Sequence, residues 1–208
     1  KKYSLYSTLE PCCHRGRAES CVTKIINSKF ITRVIFCAID PDPRVNGKGK
    51  KKLLDQKIEV IDHFANDGIS EIYRGYFLNR KIQRPRIYLK LATSMDGYIS
   101  KKNKKTKITN KFSDTFSQIL RSQMDAILVG SNTVKIDNCL LTSRFEGLQK
   151  FSPIRILLNK KLDINLSSKI FKDCEKYKTI IFTDSKDKKK ISRFSKKNIE
   201  VITLEKAH

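Results

Sequence analysis

The sequence predicts a mixed α/β protein in two parts. Short apolar runs alternate with amphipathic segments, and this alternation restarts near residue 83. Strands that alternate with helices usually pair in parallel. A chain of 208 residues can hold one large or two small domains, and we place the boundary between residues 83 and 84. A hydrophobic content of 39%, with 11 Phe and 7 Tyr, is sufficient for a packed core.

In the first part, apolar periodicity predicts strands and helices in alternation. The residues after Cys21 place Val22, Ile25 and Ile26 on one helical face, and residues 40–49 contain the Pro, Asn-Gly and Gly residues of a turn. The predicted elements are, in order, a strand at 3–9, a helix after Cys21, a buried strand at 33–40, a helix at 51–57, a strand at 58–64 and a helix at 69–82.

The second part begins with a predicted strand at 84–97, where Ile87, Leu89 and Leu91 alternate with polar residues and a Gly turn follows. We expect a helix at 113–123 with Ser113 as its N-cap, and a polar turn at 131–138. Four further strands are predicted at 125–130, 153–159, 177–184 and from 198 onward.

The net charge of +23 invites a nucleic-acid interpretation. However, lysines occur in almost every segment, and the clusters at 101–107 and 186–190 contain no interleaved aromatic residues that could stack on bases. Nucleic acid is therefore disfavoured, and a phosphorylated small molecule fits the charge as well. No apolar run approaches the length of a membrane span, and the N-terminal residues lack a signal peptide. The six cysteines have irregular spacings, so we expect reduced thiols and a cytoplasmic protein.

The segment 8–21, TLEPCCHRGRAESC, carries the strongest chemical signal. Cys12 follows a proline and lies nine residues before Cys21, and two thiolates joined by a short turn can bind one zinc ion. Zinc deaminases of nucleobases use such a half-site together with a His and a Glu from an H-x-E motif, which is absent from these residues. The alternatives are a pair of buried thiols or a structural zinc site. His14 is disfavoured as a ligand.

Three ordered motifs, TLEPCCHRGR, DPDPRVNGKG and KLATSMDG, resemble the bifunctional deaminase/reductase of riboflavin biosynthesis, and the segment at 125–134 matches a fourth. The resemblance covers roughly residues 3–185. It implies a cytidine-deaminase-like α/β/α part followed by a dihydrofolate-reductase-like α/β part, both incomplete, with Zn²⁺ and NADPH as cofactors. The implied reactions are deamination of a diaminopyrimidinone ribosyl phosphate and reduction of its ribosyl group to a ribityl chain.

The resemblance also implies roles for individual residues. Cys12 and Cys21 match the zinc ligands, and the loop that contains Asp40, Asp42 and Asn46 helps to enclose the deaminase pocket. The positions that match cofactor-binding residues are Ala92, Thr109, Thr133 and Asp137, and those that match substrate-binding residues are Arg121, Leu141 and Arg144. We expect the catalytic His and Glu to lie upstream, so that residues 1–208 alone cannot deaminate.

Four residues depart from the family pattern: Lys105 and Lys107 in the lysine-rich loop, and Asn138 and Cys139 after the turn. Because Lys107 stands where the family has a Trp, an aromatic contact to the cofactor is missing. Two alternatives therefore stay open at this point: a deaminase-fold protein that modifies bases or nucleic acid, and a non-catalytic relic. The sequence leaves open whether the protein is a homo-oligomer.

Overall fold

The structure, a computed structural model, describes residues 1–64, 67–102, 104–195 and 197–204, and it divides into two compact units, Lys1–Leu89 and Lys90–His208. Each unit contains one wholly parallel sheet. This confirms the predicted α/β class with parallel pairing. None of the described helices is long and apolar enough to cross a membrane.

The first unit contains a three-stranded sheet of order β1-β2-β3. Its elements are β1 (Tyr3–Leu9), α1 (Cys21–Ser28), β2 (Ile31–Ala38), α2 (Lys48–Asp55), β3 (Glu59–Ile61) and α3 (Asp67–Ile82). In the central strand, Val34 pairs with Leu5 on one side and Val60 on the other. Val34 and Phe36 of β2 are fully buried and share a core with Val22 of α1 and Leu53 of α2. Helices α1 and α2 are therefore held on the sheet by apolar burial.

The second unit contains a four-stranded sheet of order β4-β5-β6-β7. Its elements are α4 (Lys111–Ser122), β4 (Ala126–Gly130), α5 (Ser131–Asp137), β5 (Ile154–Leu158), β6 (Thr179–Thr183), α6 (Lys188–Ser195) and β7 (Ile199–Thr203). Leu157 pairs in register with Val129 and Ile181, and both Leu157 and Ile181 are fully buried. Phe194 of α6 packs into the same core.

The predicted strand at 84–97 is wrong. Residues 84–94 form no strand, and Ile87 and Leu89 are each 83% exposed. Alternating apolar residues suit a strand, but a strand forms only where a neighbour supplies backbone donors and acceptors. No strand among the described residues pairs with this segment. The Gly turn that follows is present, because the Gly97 N–H donates to the Ser94 carbonyl at 3.0 Å.

Two local predictions in the second unit are also corrected. Helix α4 begins two residues earlier than expected, and its N-cap is Asn110, whose side chain accepts from the Ser113 N–H at 2.9 Å. Ser113 is thus the capped residue rather than the cap. The predicted polar turn at 131–138 forms helix α5, because Val134 is buried in the core and Asn138 closes the helix in the left-handed conformation.

Candidate functional site

The segment 8–21, called the metal loop after the zinc half-site predicted for it, brings Cys12 and Cys21 together in the first unit. The Cys21 N–H donates to Cys12 Sγ at 3.3 Å, and the Val22 N–H donates to the Cys12 carbonyl at 3.1 Å. Cys21 is the first residue of α1, and the preceding Ser20 caps this helix by accepting from the Thr23 N–H at 3.0 Å. The cap fixes the start of the helix, and thereby brings the Cys21 backbone against the Cys12 sulfur.

The Cys12 side chain hinders ionisation of the Cys21 thiol. Partial burial of Cys21, together with its hydrogen bond to Cys12 and the charge of that residue, raises the pKa of the Cys21 thiol. The positive end of α1 therefore does not outweigh these effects at Cys21, and a bound cation would stabilise its thiolate. The soft two-sulfur donor set fits zinc as half of a tetrahedral site. Within the described residues, no group of three or more His, Cys, Asp or Glu side chains could hold a metal, and His14 adds no third ligand.

Three buried carboxylates lie beside this loop, at the carboxyl ends of β1 and β2. They belong to Glu10, Asp40 and Asp42, which are between 3% and 6% exposed. The Asp40 carboxylate accepts from the Asp42 N–H and the Tyr76 hydroxyl, each at 2.9 Å. Because parallel strands end at the same edge of a sheet, these groups surround one region.

The turn at residues 40–47 is braced by Asp42. Its carboxylate accepts from the Arg44 N–H, Nε and Nη2, with the side-chain contacts at 2.9 and 2.7 Å. These hydrogen bonds, aided by the charges of Arg44 and Arg80, hold the pKa of Asp42 well below its usual range. Asn46 is exposed at the end of the turn, where its N–H donates to the Asp42 carbonyl at 2.9 Å.

Sequence reasoning missed three residues of this region: Glu10, Gly49 and Tyr76. Each acts on a residue distant in the chain, so no local periodicity reveals it. A Cβ atom at Gly49 would lie 2.3 Å from the Pro11 carbonyl oxygen, which shows how closely α2 approaches the metal loop. The available signals were an acidic residue directly after a strand and a second glycine two residues after the turn's Asn-Gly.

In the second unit, Arg121 and Arg144 form a positively charged pair. Arg121 Nη1 donates to the Thr142 carbonyl at 2.8 Å, and the Arg144 N–H donates to the side chain of Gln118, one turn before Arg121, at 3.0 Å. Burial, followed by the charge of Arg144, lowers the pKa of Arg121, although it stays protonated. Arg121 Nε is buried without a partner among the described residues. Two like charges so placed favour an anionic ligand.

The loop that carries Arg144, between α5 and β5, is strained at Leu141. Leu141 is 5% exposed and has φ of 61°, a left-handed conformation that a branched side chain adopts at a cost. Such conformations cluster at functional sites. Thr133 and Asp137 lie four residues apart, and therefore on one face of α5, which follows the carboxyl end of β4.

The remaining predicted cofactor residues lie in segments without regular structure. Ala92 is partly buried in the extended segment 84–94. The Thr109 hydroxyl donates to the Asp114 carboxylate at 2.7 Å, and Lys107 Nζ lies 3.7 Å from the same carboxylate. Lys107, at the position where the family resemblance leads us to expect an aromatic residue, thus takes part in an exposed ion pair. The structure places Arg121, Leu141 and Arg144 in one neighbourhood, and it gives no direct contact that joins Ala92 or Thr109 to them.

The fold and these sites define an α/β protein with polar and charged groups at the carboxyl ends of parallel strands. The chain belongs to the RibD C-terminal domain family, whose family model matches residues 85–207. It is 38% identical over 205 residues to the riboflavin biosynthesis protein RibD of Aquifex aeolicus, covering 98% of this chain and 56% of that protein. It is 32% identical to RibD of Synechocystis, covering 99% of this chain and 55% of that protein. The chain therefore spans about half the length of these relatives.

Solved structures show the same likeness. A deaminase/reductase from Thermotoga maritima, titled as a diaminohydroxyphosphoribosylaminopyrimidine deaminase and 5-amino-6-(5-phosphoribosylamino)uracil reductase, is 29% identical, with a TM-score of 0.82 over 98% of this chain and 55% of that one. RibD of Acinetobacter baumannii is 24% identical with a TM-score of 0.85, covering 96% of this chain and 55% of that one, which shows the shared fold.

Proposed function

We propose that this chain acts in riboflavin biosynthesis, with the second unit as an NADPH-dependent reductase of a phosphoribosylamino pyrimidine. The observation that carries the proposal is the pair Arg121 and Arg144, which present two guanidinium groups with no carboxylate counterpart among their described partners. The reductase activity named for the Thermotoga maritima relative acts on a substrate with a phosphate that such a pair would bind.

In this proposal the arginines hold the substrate phosphate, and Leu141 shapes the loop that carries Arg144. Ala92, Thr109, Thr133 and Asp137 contact the cofactor. When bound there, NADPH would supply the hydride that reduces the C1 carbon of the open-chain imine, and the imine nitrogen would take up one proton to become the amine. The task of this chain's residues is to align the sugar carbon and to fix the phosphate, because alignment lowers the barrier.

For the first unit we propose the cysteine half of a zinc deaminase. Cys12 and Cys21 would hold the metal, which when bound would lower the pKa of a water ligand to about 7 and so supply hydroxide. The braced turn at residues 40–47 would form one wall of the substrate pocket. The support is the contact between the two cysteines at the edge of a parallel sheet, beside that turn.

Replacing Arg144 by glutamine is expected to weaken binding of 5-amino-6-(5-phosphoribosylamino)uracil by about tenfold or more, since a charge-assisted hydrogen bond to phosphate is worth about 1.5–3 kcal/mol. Isothermal titration of the purified chain measures this effect. Arg193→Gln on α6 removes an equally exposed arginine from the same unit and is the control. Equal affinities of the two variants would contradict the proposed phosphate site.

Replacing Cys21 by serine is expected to remove at least half of the thiolate-to-metal charge-transfer absorption that Co²⁺ gives with the wild-type chain, because one of the two sulfur ligands is lost. Cys13→Ser is the matched control, since Cys13 lies in the same loop and its thiol donates only to the Arg44 carbonyl, at 3.2 Å. A serine hydroxyl can make the same hydrogen bond. An unchanged Co²⁺ spectrum in Cys21→Ser would show that the metal is bound elsewhere.

A further inference from the structure

Glu10 is a buried carboxylate whose negative charge is met only by backbone groups. It is 3% exposed, and no Lys, Arg or His nitrogen lies within 4.0 Å of it in the part of the chain that the structure describes. Its Oε1 accepts from the Lys50 N–H at 2.9 Å, and its Oε2 accepts from the Gly47 N–H at 2.9 Å and the Asp40 N–H at 3.4 Å. A buried carboxylate is tolerated where such donors converge on it.

These contacts make Glu10 the cap of a helix that is distant in the chain. The N-cap residue of α2 is Gly47, which has no side chain to offer, and the first turn of α2 contains no acidic residue. The first N–H groups of a helix need acceptors, and its positive end favours an anion. Glu10 meets both needs from the end of β1, 37 residues before Gly47.

The same residue leads directly into the metal loop. Its own N–H donates to the Ala38 carbonyl at 2.9 Å, which fixes the chain just before Pro11 and Cys12. Gly49 of α2 approaches so closely that a Cβ atom would lie 2.3 Å from the Pro11 carbonyl oxygen. The Glu10 carboxylate therefore joins three parts: the segment that carries Cys12, the turn at residues 40–47 and the start of α2.

We propose that Glu10 is a positioning residue that fixes Cys12 relative to the turn at residues 40–47, and thus the metal relative to the wall of the substrate pocket. The inference rests on the proposed zinc half-site. This role of Glu10 goes beyond capping α2. A residue that only capped α2 would leave the reactivity of Cys12 and the affinity of the cysteine pair for metal unchanged.

The test compares Glu10→Gln with Asp62→Asn in the purified chain. Glutamine keeps the shape of the side chain but points an NH₂ group at backbone donors, so the convergent contacts cannot all form. Asp62→Asn is the matched control, since Asp62 binds the same α2 residue through Lys50 Nζ at 2.7 Å, and its described hydrogen bonds and ion pairs include none to residues 8–21. Glu10→Asp, which keeps the charge on a shorter side chain, serves as a second and milder variant.

Two readouts are measured: Co²⁺ affinity from the thiolate charge-transfer band, and the rates at which iodoacetamide alkylates Cys12 and Cys21, resolved by mass spectrometry. Glu10→Gln is expected to weaken Co²⁺ binding about tenfold or more, the usual effect of losing a group that orients a metal ligand. It should also change the alkylation rate of Cys12 severalfold, with Glu10→Asp intermediate and Asp62→Asn unchanged in both.

Affinity and Cys12 reactivity within twofold of wild type in both Glu10 variants would overturn the positioning role. If Glu10→Gln does not fold, the same criterion applies to Glu10→Asp. If the wild-type chain shows no thiolate band with Co²⁺, the zinc half-site is wrong, and the alkylation rates still decide whether Glu10 positions Cys12.

Discussion

Gly49→Ala is expected to destabilise the first unit by about 2 kcal/mol or more, although Ala is the better helix former. Gly49 lies in the first turn of α2, where helix propensity alone would predict a gain of about 1 kcal/mol. The added Cβ would lie 2.3 Å from the Pro11 carbonyl oxygen and 3.0 Å from Glu10 Oε1. Because the Pro11 carbonyl oxygen belongs to the backbone, it cannot rotate away as a side chain would. Relief of this clash requires the metal loop to move by about 1 Å. Overpacking of this kind costs about 1–3 kcal/mol, and more where the backbone must shift.

The matched control is Gly75→Ala in α3 of the same unit. A Cβ atom there meets only the Arg86 Cβ, at an ordinary contact distance of 3.7 Å. That substitution should stabilise the unit by about 0.5–1 kcal/mol, since only the helix propensity changes. Urea denaturation followed by circular dichroism distinguishes the two, because the chain contains no Trp for fluorescence. Equal stability changes in the two variants would mean that α2 does not lie against Pro11 as the structure shows.

The expected loss of stability at Gly49 and gain at Gly75 mark the boundary between what the sequence can and cannot predict. Helix propensity is a local property and predicts a gain at both glycines, whereas the contact of Gly49 with Pro11 is distant in the chain. The α/β class followed from local apolar patterns, because each pattern reports the burial of one face of one element. The apolar run at residues 33–40 predicted a buried strand, and Val34 and Phe36 are indeed fully buried in β2. The strand predicted at 84–97 is wrong because pairing depends on a partner that the pattern does not contain.

The candidate sites also contain residues that a local pattern predicts and residues whose role depends on distant contacts. The spacing of Cys12 and Cys21 predicted that they would meet, since a short turn joins them, and the structure places them in contact. Glu10 accepts from residues 30, 37 and 40 positions away, so no local signal could identify its role. Arg121 and Arg144 came from the family resemblance, because a chain with 44 Lys and Arg offers no compositional reason to choose them.

Arg155→Lys is expected to destabilise the second unit by about 3 kcal/mol. Arg155 is fully buried in β5, where its guanidinium donates to the Lys172 carbonyl at 3.0 Å and the Tyr177 carbonyl at 2.8 Å. The planar guanidinium thereby holds together the two ends of the loop at residues 172–177. A lysine ammonium cannot donate to both carbonyls in the same geometry. Each carbonyl left without a donor costs about 1–3 kcal/mol, and the charge stays buried. Urea denaturation of the purified chain measures the loss.

The same variant should acquire a pH dependence at residue 155 in addition to that of the wild type. Burial lowers the pKa of Arg155, but a guanidinium stays protonated between pH 7 and 9, so the residue contributes no slope there. A lysine in this position would have a folded-state pKa below its unfolded value of about 10.4. The unfolded chain would then bind more protons than the folded chain, so the stability of Arg155→Lys should rise from pH 7 to pH 9.

Arg193→Lys on α6 provides the reference for this pH profile, since it exchanges the same residue types on an exposed face of the same unit. Its stability should stay within about 0.5 kcal/mol of wild type at each pH. A rise with pH in Arg155→Lys alone assigns the effect to burial of the charge. If the unfolding free energies of both variants depend on pH as that of the wild type does, water reaches position 155. In that case the Arg155 guanidinium is not buried and does not hold the loop at residues 172–177 as the structure shows.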